Sequence, residues 1–402
     1  MTPQTKKNYI TFFIITIITL VVYSKTQIKA PTPYDYFMRL SQSLIQGKLH
    51  LTENPPWLNE LIPTDDPKKF YVAYPPMPAI VAIPFVATGL GHNSQTLVSI
   101  IFGSINAGLF FLVMRRLYSY RTSVISSVLL AFGTNHWYLA SEGSSWYIAH
   151  IISVFFLLSA FLVYLRSIDD NKVQLPEKTI QWLYTGLLIG AAYWSRLPAI
   201  LATPFFVILP LVQGQFKKYL KAIFFLCIGV GVFLLLNFSY NYTRFGTIMD
   251  QSYILIPGVL EEPWFDNGIF SVDYLYKNII FFFTKMPSPY SEFPFYKPTI
   301  EGMSFFLTSP FFIFLPFIKW KKKYVLISFL VAVLMLFPGL LHGTPGFAQF
   351  GYRFAMEATP FFLIALGSFL ERKWWWLSVP FMLGAIAINF WGIYFIRILN
   401  IY

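Results

Sequence analysis

The chain is 402 residues long, 56% hydrophobic and 20% aromatic, and only 12% of it is charged, about half the charged share of an average soluble domain. That composition excludes a soluble globular enzyme. The net charge of +12 points to no nucleic-acid partner, because Lys and Arg sit in short loops between apolar stretches.

Crossing the hydrocarbon takes about 20 mostly apolar residues, somewhat fewer with thinning or snorkelling. Lys6-Lys7 and the apolar run Tyr9 to Tyr23 look like a signal peptide. No small-residue cleavage site follows, so a retained first span is expected over 8–24. Ten more are expected over 95–114, 122–141, 147–165, 180–195, 197–214, 221–241, 303–318, 324–341, 354–370 and 374–397. The expectation is an all-α polytopic membrane protein with about 11 transmembrane helices, one membrane domain over 1–402.

Six basic clusters fall in alternate loops: Lys6/Lys7, Arg115/Arg116/Arg121, Arg166/Lys172/Lys178, Lys217/Lys218/Lys221, Lys319/Lys321/Lys322/Lys323 and Arg372/Lys373. They hold 17 of the 30 Lys and Arg residues, against four acids on the same side. Such an excess marks the cytoplasmic face. A multi-pass protein of the plasma (inner) membrane is therefore expected, with its N-terminus cytoplasmic. The segment 76–90 is apolar but short; counting it as a span would invert every later loop. An interfacial helix agrees with the charges. Cys227, the one cysteine, lies in an apolar stretch and excludes a disulfide framework. Gly186-x-x-x-Gly190 reads as helix packing, and Trp374-Trp375-Trp376 as a headgroup belt.

Two extracytoplasmic loops are long, 25–94 and 242–302, and loops of that size usually carry function. The first opens on Thr32-Pro33-Tyr34-Asp35, which predicts a helix over 33–46 with Thr32 as N-cap and Asp35 closing a capping box. A stripe of Phe37, Leu40, Leu44 and Ile45 and a stop at Gly47 complete it.

No phosphate loop, dinucleotide fingerprint, Cys/His metal spacing or nucleophile elbow is present, and no internal repeat. Polar groups gather instead at the outer loops. Asp35 reads either as a general base or as the helix cap just described. Asp65 and Asp66 read as solvated loop residues. Glu142 and His150 bracket one outer loop; with Asp35 they could ligate a divalent cation, or simply hydrogen-bond within the loops. Arg353 marks the mouth of the tenth span and Arg196 the turn between the fifth and sixth. An Arg at membrane depth is costly and tends to be kept for a partner; a lipid phosphate is one, headgroup snorkelling the other. Arg244, His342 and Asp250 hold similar positions, and Glu357 reads as an i,i+4 partner of Arg353.

Tyr34-Asp35-Tyr36-Phe37 through Gly47-Lys48-Leu49-His50-Leu51, and Tyr71-Val72-Ala73-Tyr74-Pro75-Pro76-Met77-Pro78, carry a resemblance. Tyr193-Trp194-Ser195-Arg196-Leu197-Pro198, Asn241-Tyr242-Thr243-Arg244-Phe245-Gly246 and Gly351-Tyr352-Arg353 extend it, in order. The chain resembles the integral-membrane glycosyltransferases of the GT-C class, which include protein O-mannosyltransferases and aminoarabinose transferases. The resemblance implies a polyprenyl-phosphate-sugar donor, a glycan, lipid or protein acceptor, and inverting transfer on the extracytoplasmic side. It implies that Asp35 acts as base, and that Arg353 and Arg196 meet the lipid phosphate, with Tyr352, Arg244, Tyr74, Glu142 and His150 around the substrate. Many relatives carry an Asp-Glu pair where this chain has Asp35-Tyr36. No cofactor is assigned, and a divalent cation stays open. Rival readings are a lipid-linked glycan polymerase or ligase, a transporter, and a non-catalytic lipid-binding protein; a transporter would show repeats and polar residues at mid-span. The loop 242–302, with Tyr253, Trp264, Phe265 and Tyr274, reads as an acceptor side or a lid.

Overall fold

The computed structural model describes residues 2–27, 32–91, 94–169, 175–212 and 216–399. Helix α1 (Pro3–Thr26) opens the chain, with Thr2 capping it through Thr5 N–H and Pro at the first turn. The first long loop then carries α2 (Tyr36–Ile45), a hairpin of β1 (Leu61–Pro63) and β2 (Phe70–Val72), and α3 (Met77–Ala87). In the hairpin Leu61 faces Val72 and Pro63 faces Phe70. Next come α4 (Gln95–Leu117), α5 (Tyr120–Phe132), α6 (His136–Glu142), α7 (Ser145–Asp169), α8 (Leu175–Tyr193), α9 (Thr203–Val212) and α10 (Phe216–Phe245). The second long loop holds α11 (Leu275–Thr284) and a small hairpin of β3 (Ser288–Pro289) and β4 (Tyr296–Lys297). Helices α12 (Phe305–Thr308), α13 (Lys323–Leu340), α14 (Thr359–Leu370) and α15 (Val379–Leu399) close the bundle.

Among the described residues, six helical stretches are long and apolar enough to cross a membrane: α1, α4, α7, α10, α13, and α15 with its leading turn. The other five expected spans are α8 and four that are short or broken. Where 122–141 was expected to run unbroken, α5 stops at Gly133 and α6 restarts after Asn135. Gly-Thr-Asn is turn chemistry, and Ser309 Oγ takes the freed Gly133 carbonyl at 2.9 Å. Over 197–214, Pro198 sets a 3₁₀ turn before α9. Over 303–318, Ser309-Pro310 and Pro316 turn half of the segment 3₁₀. Proline removes an N–H and clashes with the preceding turn, so apolarity alone does not make these stretches regular.

The basic clusters gather on one face. Lys7 and Arg115 lie over the Tyr120 ring. Ser119 donates its N–H and hydroxyl to Glu371 at 3.0 and 2.6 Å. Lys319 N–H reaches Ser368 and Lys323 reaches the Val212 carbonyl. Lys172 lies outside the described residues, as do the side chains of Lys178, Lys217 and Lys218.

At the opposite face the two long loops pack into one cap. Ile62 and Ala73 of the first share an apolar cluster with Ile256, Val259, Phe265 and Ile269 of the second. Helix α3, about 16 Å long at 1.5 Å per residue, does not cross. Its Met77 N–H bonds the Trp194 carbonyl at 3.2 Å, and Ala79 and Ala82 are buried in the cluster with α2. Gly47 ends α2 as expected, at φ 72°. The expected capping box does not form: α2 begins at Tyr36, and Asp35 makes no side-chain cap bond. A stronger partner, the Arg39 guanidinium, holds its carboxylate instead.

The Gly186 and Gly190 expectation holds. A Cβ on Gly186 would sit 2.0 Å from the Leu226 carbonyl oxygen, and one on Gly229 2.5 Å from the Leu183 oxygen. Helices α8 and α10 thus touch backbone to backbone, as small residues allow where hydrocarbon supplies no hydrophobic drive.

Candidate active site

Two groups of charged residues form at the capped face. In the first, Arg39 Nε donates to Asp35 Oδ1 at 2.7 Å, while Nη1 donates to Glu53. Asp35 is buried, Arg39 nearly so. The link is an i,i+4 step on α2, so local helix geometry supplies it.

The second group centres on Arg353, in the 3₁₀ turn just before α14. Its Nη1 donates to the Phe347 carbonyl at 2.9 Å, and its guanidinium lies over the rings of Tyr147 and Phe354, 5.8 and 5.3 Å from their centroids. Glu357, expected to pair with Arg353, pairs elsewhere. Its carboxylate receives His150 Nδ1 at 2.8 Å, and Arg196 Nε stands 3.6 Å away. The reason is topological: α7 and the turn after α8 bring His150 and Arg196 to α14 from far along the chain. Arg196 still keeps 24% of its side chain accessible, and its guanidinium, like that of Arg353, lies near the Phe354 ring. Arg353 Nε, Arg196 Nε and His150 Nε2 are buried and lack a hydrogen-bond partner. A buried donor without an acceptor costs about 1–3 kcal/mol, so the two guanidinium nitrogens describe a place shaped for an acceptor-rich group, whereas His150 Nε2, with Nδ1 donating to Glu357, is an acceptor in the neutral ring.

Sequence reasoning missed Glu60. It stands just before β1, and its carboxylate accepts from Trp146 Nε1 at 2.9 Å. Its own N–H goes to the Tyr36 hydroxyl at 3.1 Å. Trp146 in turn packs on Tyr34, ring centroids 4.5 Å apart. The Tyr34 carbonyl accepts from Ser145 N–H and Oγ and from Gln95 Nε2. This chain of contacts ties the Asp35 segment to the loop 142–146. Glu142 ends α6 in that loop and accepts Ser144 N–H at 2.6 Å. Gly143 makes the turn at φ 71°, where a Cβ would meet Thr96 Cα at 2.7 Å.

Burial pushes the carboxyls of Glu60 and Glu142 up to about 7, and the nearby charge of Arg353 partly opposes this in both. Arg353 thus faces two carboxylates poised near neutrality. Beside it, burial pushes His342 down to about 4, so the imidazole is neutral at pH 7. Its Nδ1 meets the Thr344 carbonyl at 2.9 Å.

The raised carboxyls have a measurable consequence. An unfolded Glu titrates near ~4.3, so the folded state binds more protons between that value and about 7. The stabilisation this gives is complete below ~4.3 and lost as pH rises toward 7. The melting temperature should therefore fall between pH 5 and 7.5, and fall less steeply in Glu60→Gln and Glu142→Gln. Parallel pH slopes for wild type and both variants would remove these shifts.

The remaining predicted residues do other work. Arg244 donates to the Val72 carbonyl at 2.9 Å, to Asn241 Oδ1 and to Ser252 Oγ, so it fastens the second loop to β2. Tyr74 packs on Tyr36 and Phe37, and Tyr352 on Phe282 and Phe354; neither hydroxyl has a partner. Asp66 pairs with Lys69 at 3.1 Å in exposed loop, as expected. Asp35, Glu142 and His150 do not converge as a cation site, since Arg39, Ser144 and Glu357 hold them separately. Among the described residues no group of three His, Cys, Asp or Glu could hold a metal ion.

No family model and no curated protein matches the sequence. Solved structures do match its fold. ArnT from Cupriavidus metallidurans bound to undecaprenyl phosphate superposes with a TM-score of 0.58 at 14% identity, over 93% of this chain and 62% of ArnT. Its apo state gives 0.58 at 15% identity with the same coverage. The oligosaccharyltransferase of Archaeoglobus fulgidus in its apo form gives 0.56 at 15% identity, over 96% of this chain and 55% of that one. This chain therefore has the polytopic GT-C fold, and it spans about three fifths of the length of the proteins it matches.

Proposed function

We propose, with the GT-C fold as premise, that the protein is an inverting glycosyltransferase. It moves a hexosyl or pentosyl group from a polyprenyl-phosphate donor to an acceptor hydroxyl on the extracytoplasmic side of the plasma (inner) membrane. The observation that carries this reading is the pair of half-buried arginines, Arg353 and Arg196, whose buried Nε atoms make no hydrogen bond. Guanidinium matches phosphate in charge and in the spacing of its donors. The likeness to ArnT, solved with undecaprenyl phosphate, supports a lipid-linked donor.

In the proposed reaction the acceptor oxygen attacks the anomeric carbon, the bond from that carbon to the phosphate oxygen breaks, and the acceptor proton leaves to a base. The departing lipid phosphate gains one negative charge. Arg353 and Arg196 meet that charge where the surroundings are poor in water and electrostatic stabilisation is strong. Phosphate departs without protonation at neutral pH, so one base suffices. Asp35 fills that role here: Arg39 orients its carboxylate. Glu60, held by Trp146 and facing Arg353, is the second carboxylate of the site.

Protein purified into nanodiscs and given polyprenyl-phosphate sugars with candidate acceptors tests the reading. Release of polyprenyl phosphate in step with sugar transfer is expected. A folded, stable protein that neither binds nor turns over any such donor would sink it.

A further inference from the structure

Helix α11, in the second long loop, lies across the ends of two apolar segments. Asn278, near its start, donates to the Leu340 and His342 carbonyls at 3.0 and 2.7 Å, at the end of α13. At its other end Ser304 N–H donates to the Lys285 carbonyl at 2.9 Å, and Ser304 Oγ to the Phe283 carbonyl, at the start of α12. A helix of ten residues is about 15 Å long. One that touches a span end at both extremities runs along the bilayer surface rather than away from it.

Its two faces differ. Asn278, Phe281 and Phe282 are buried against the bundle. Tyr276, Ile279, Ile280 and Phe283 point outward, 78%, 38%, 43% and 55% exposed. Their spacing of i, i+3, i+4 and i+7 makes one continuous stripe. At its border Lys277, Ile280, Thr284, Lys285 and Glu301 line an open cavity of about 280 Å³. Lys277 spends one of its three donors on the Gly343 carbonyl at 2.9 Å, which leaves two. Lys285 pairs with Glu301 at 2.6 Å with both side chains substantially exposed; an exposed pair is weak and yields to a stronger anion.

We propose that α11 is an interfacial anchor: its apolar stripe enters the leaflet on the side of the long loops, and Lys277 and Lys285 hold the phosphate of an anionic phospholipid in the adjoining cavity. A stripe of this kind bordered by lysines suits the boundary between headgroups and acyl chains, and each Lys near an anionic headgroup adds to the attraction. The anchor bears on the site, because Lys277 grips the segment 342–349 whose Phe347 carbonyl holds Arg353. It does not depend on the transferase reading.

A Cys227→Ser background removes the one native thiol; a nitroxide is then attached at position 280, or at exposed position 68 as reference, in vesicles of phosphatidylglycerol and phosphatidylcholine. The label at 280 should collide more with oxygen and less with a water-soluble nickel chelate than the label at 68. Equal nickel accessibility at the two positions overturns insertion. Native mass spectrometry of protein taken from the same vesicles reads the second half. Wild type should retain phosphatidylglycerol about tenfold more than Lys277→Gln/Lys285→Gln. Equal retention, or a preference for phosphatidylcholine, overturns the phosphate site.

Discussion

Replacing Arg353 with Gln should lower kcat/KM for sugar transfer by two to three orders of magnitude. The side chain is already placed: the Phe347 carbonyl fixes one terminal nitrogen at 2.9 Å, and Nε remains without a partner. The substitution removes a fixed positive charge from the spot where the proposed leaving group becomes more negative. Loss of one preorganised donor of this kind costs about 2.7–4 kcal/mol in the transition state, or roughly 10²–10³ in rate. Arg353→Lys restores charge without the planar fork and should recover part of the rate. Donor affinity and turnover measured on both variants separate ground-state binding from transition-state stabilisation. Near-native turnover by Arg353→Gln would show that the phosphate sits elsewhere.

Asp35→Asn should cost at least as much, with an expected loss of about 10²–10⁴ in kcat, the usual contribution of a positioned base. Asn can still accept from Arg39, so fold and donor affinity should survive. The competing possibility is that Asp35, Arg39 and Glu53 only brace the first loop. In that case the variant melts earlier but transfers normally per folded molecule. Glu60→Gln, run alongside, decides between carboxylates: if it abolishes transfer while Asp35→Asn does not, the base is Glu60.

The spans were legible because long apolar runs have one cheap solution in hydrocarbon, and alternating charge fixed which loops share a face. Breaks within four of the expected spans were harder to read, since Gly133-Thr134-Asn135 and Ser309-Pro310 sit inside sequence that is otherwise apolar. The site was legible in part. Asp35, Arg196, Arg353, Glu142 and His150 stood out as polar groups at the ends of apolar runs. Their partners did not, because those contacts are distant in sequence. Glu60 meets Trp146 across 86 positions, and His150 meets Glu357 across 207. Local spacing offered Arg353 as the partner of Glu357, and topology supplied others. Arg244 held a similar sequence position with a weaker claim than Arg353, and the Val72 carbonyl, Asn241 and Ser252 engage it. Both keep a buried Nε without a hydrogen bond; what the fold adds is that both terminal nitrogens of Arg244 are engaged.

The glycine contact between α8 and α10 sets a mechanical condition on the whole assembly. Two backbones that touch at Gly186 and Gly229 cannot slide past one another, so these helices behave as a single rigid post. The top of that post ends in Arg244, which clasps the first loop. Beyond Tyr193 the chain leaves α8 through a non-α turn to Thr203, and Arg196 sits in that turn. An anion drawn to Arg196 would therefore bind at the end of that post, beside Met77, whose N–H is bonded to the Trp194 carbonyl.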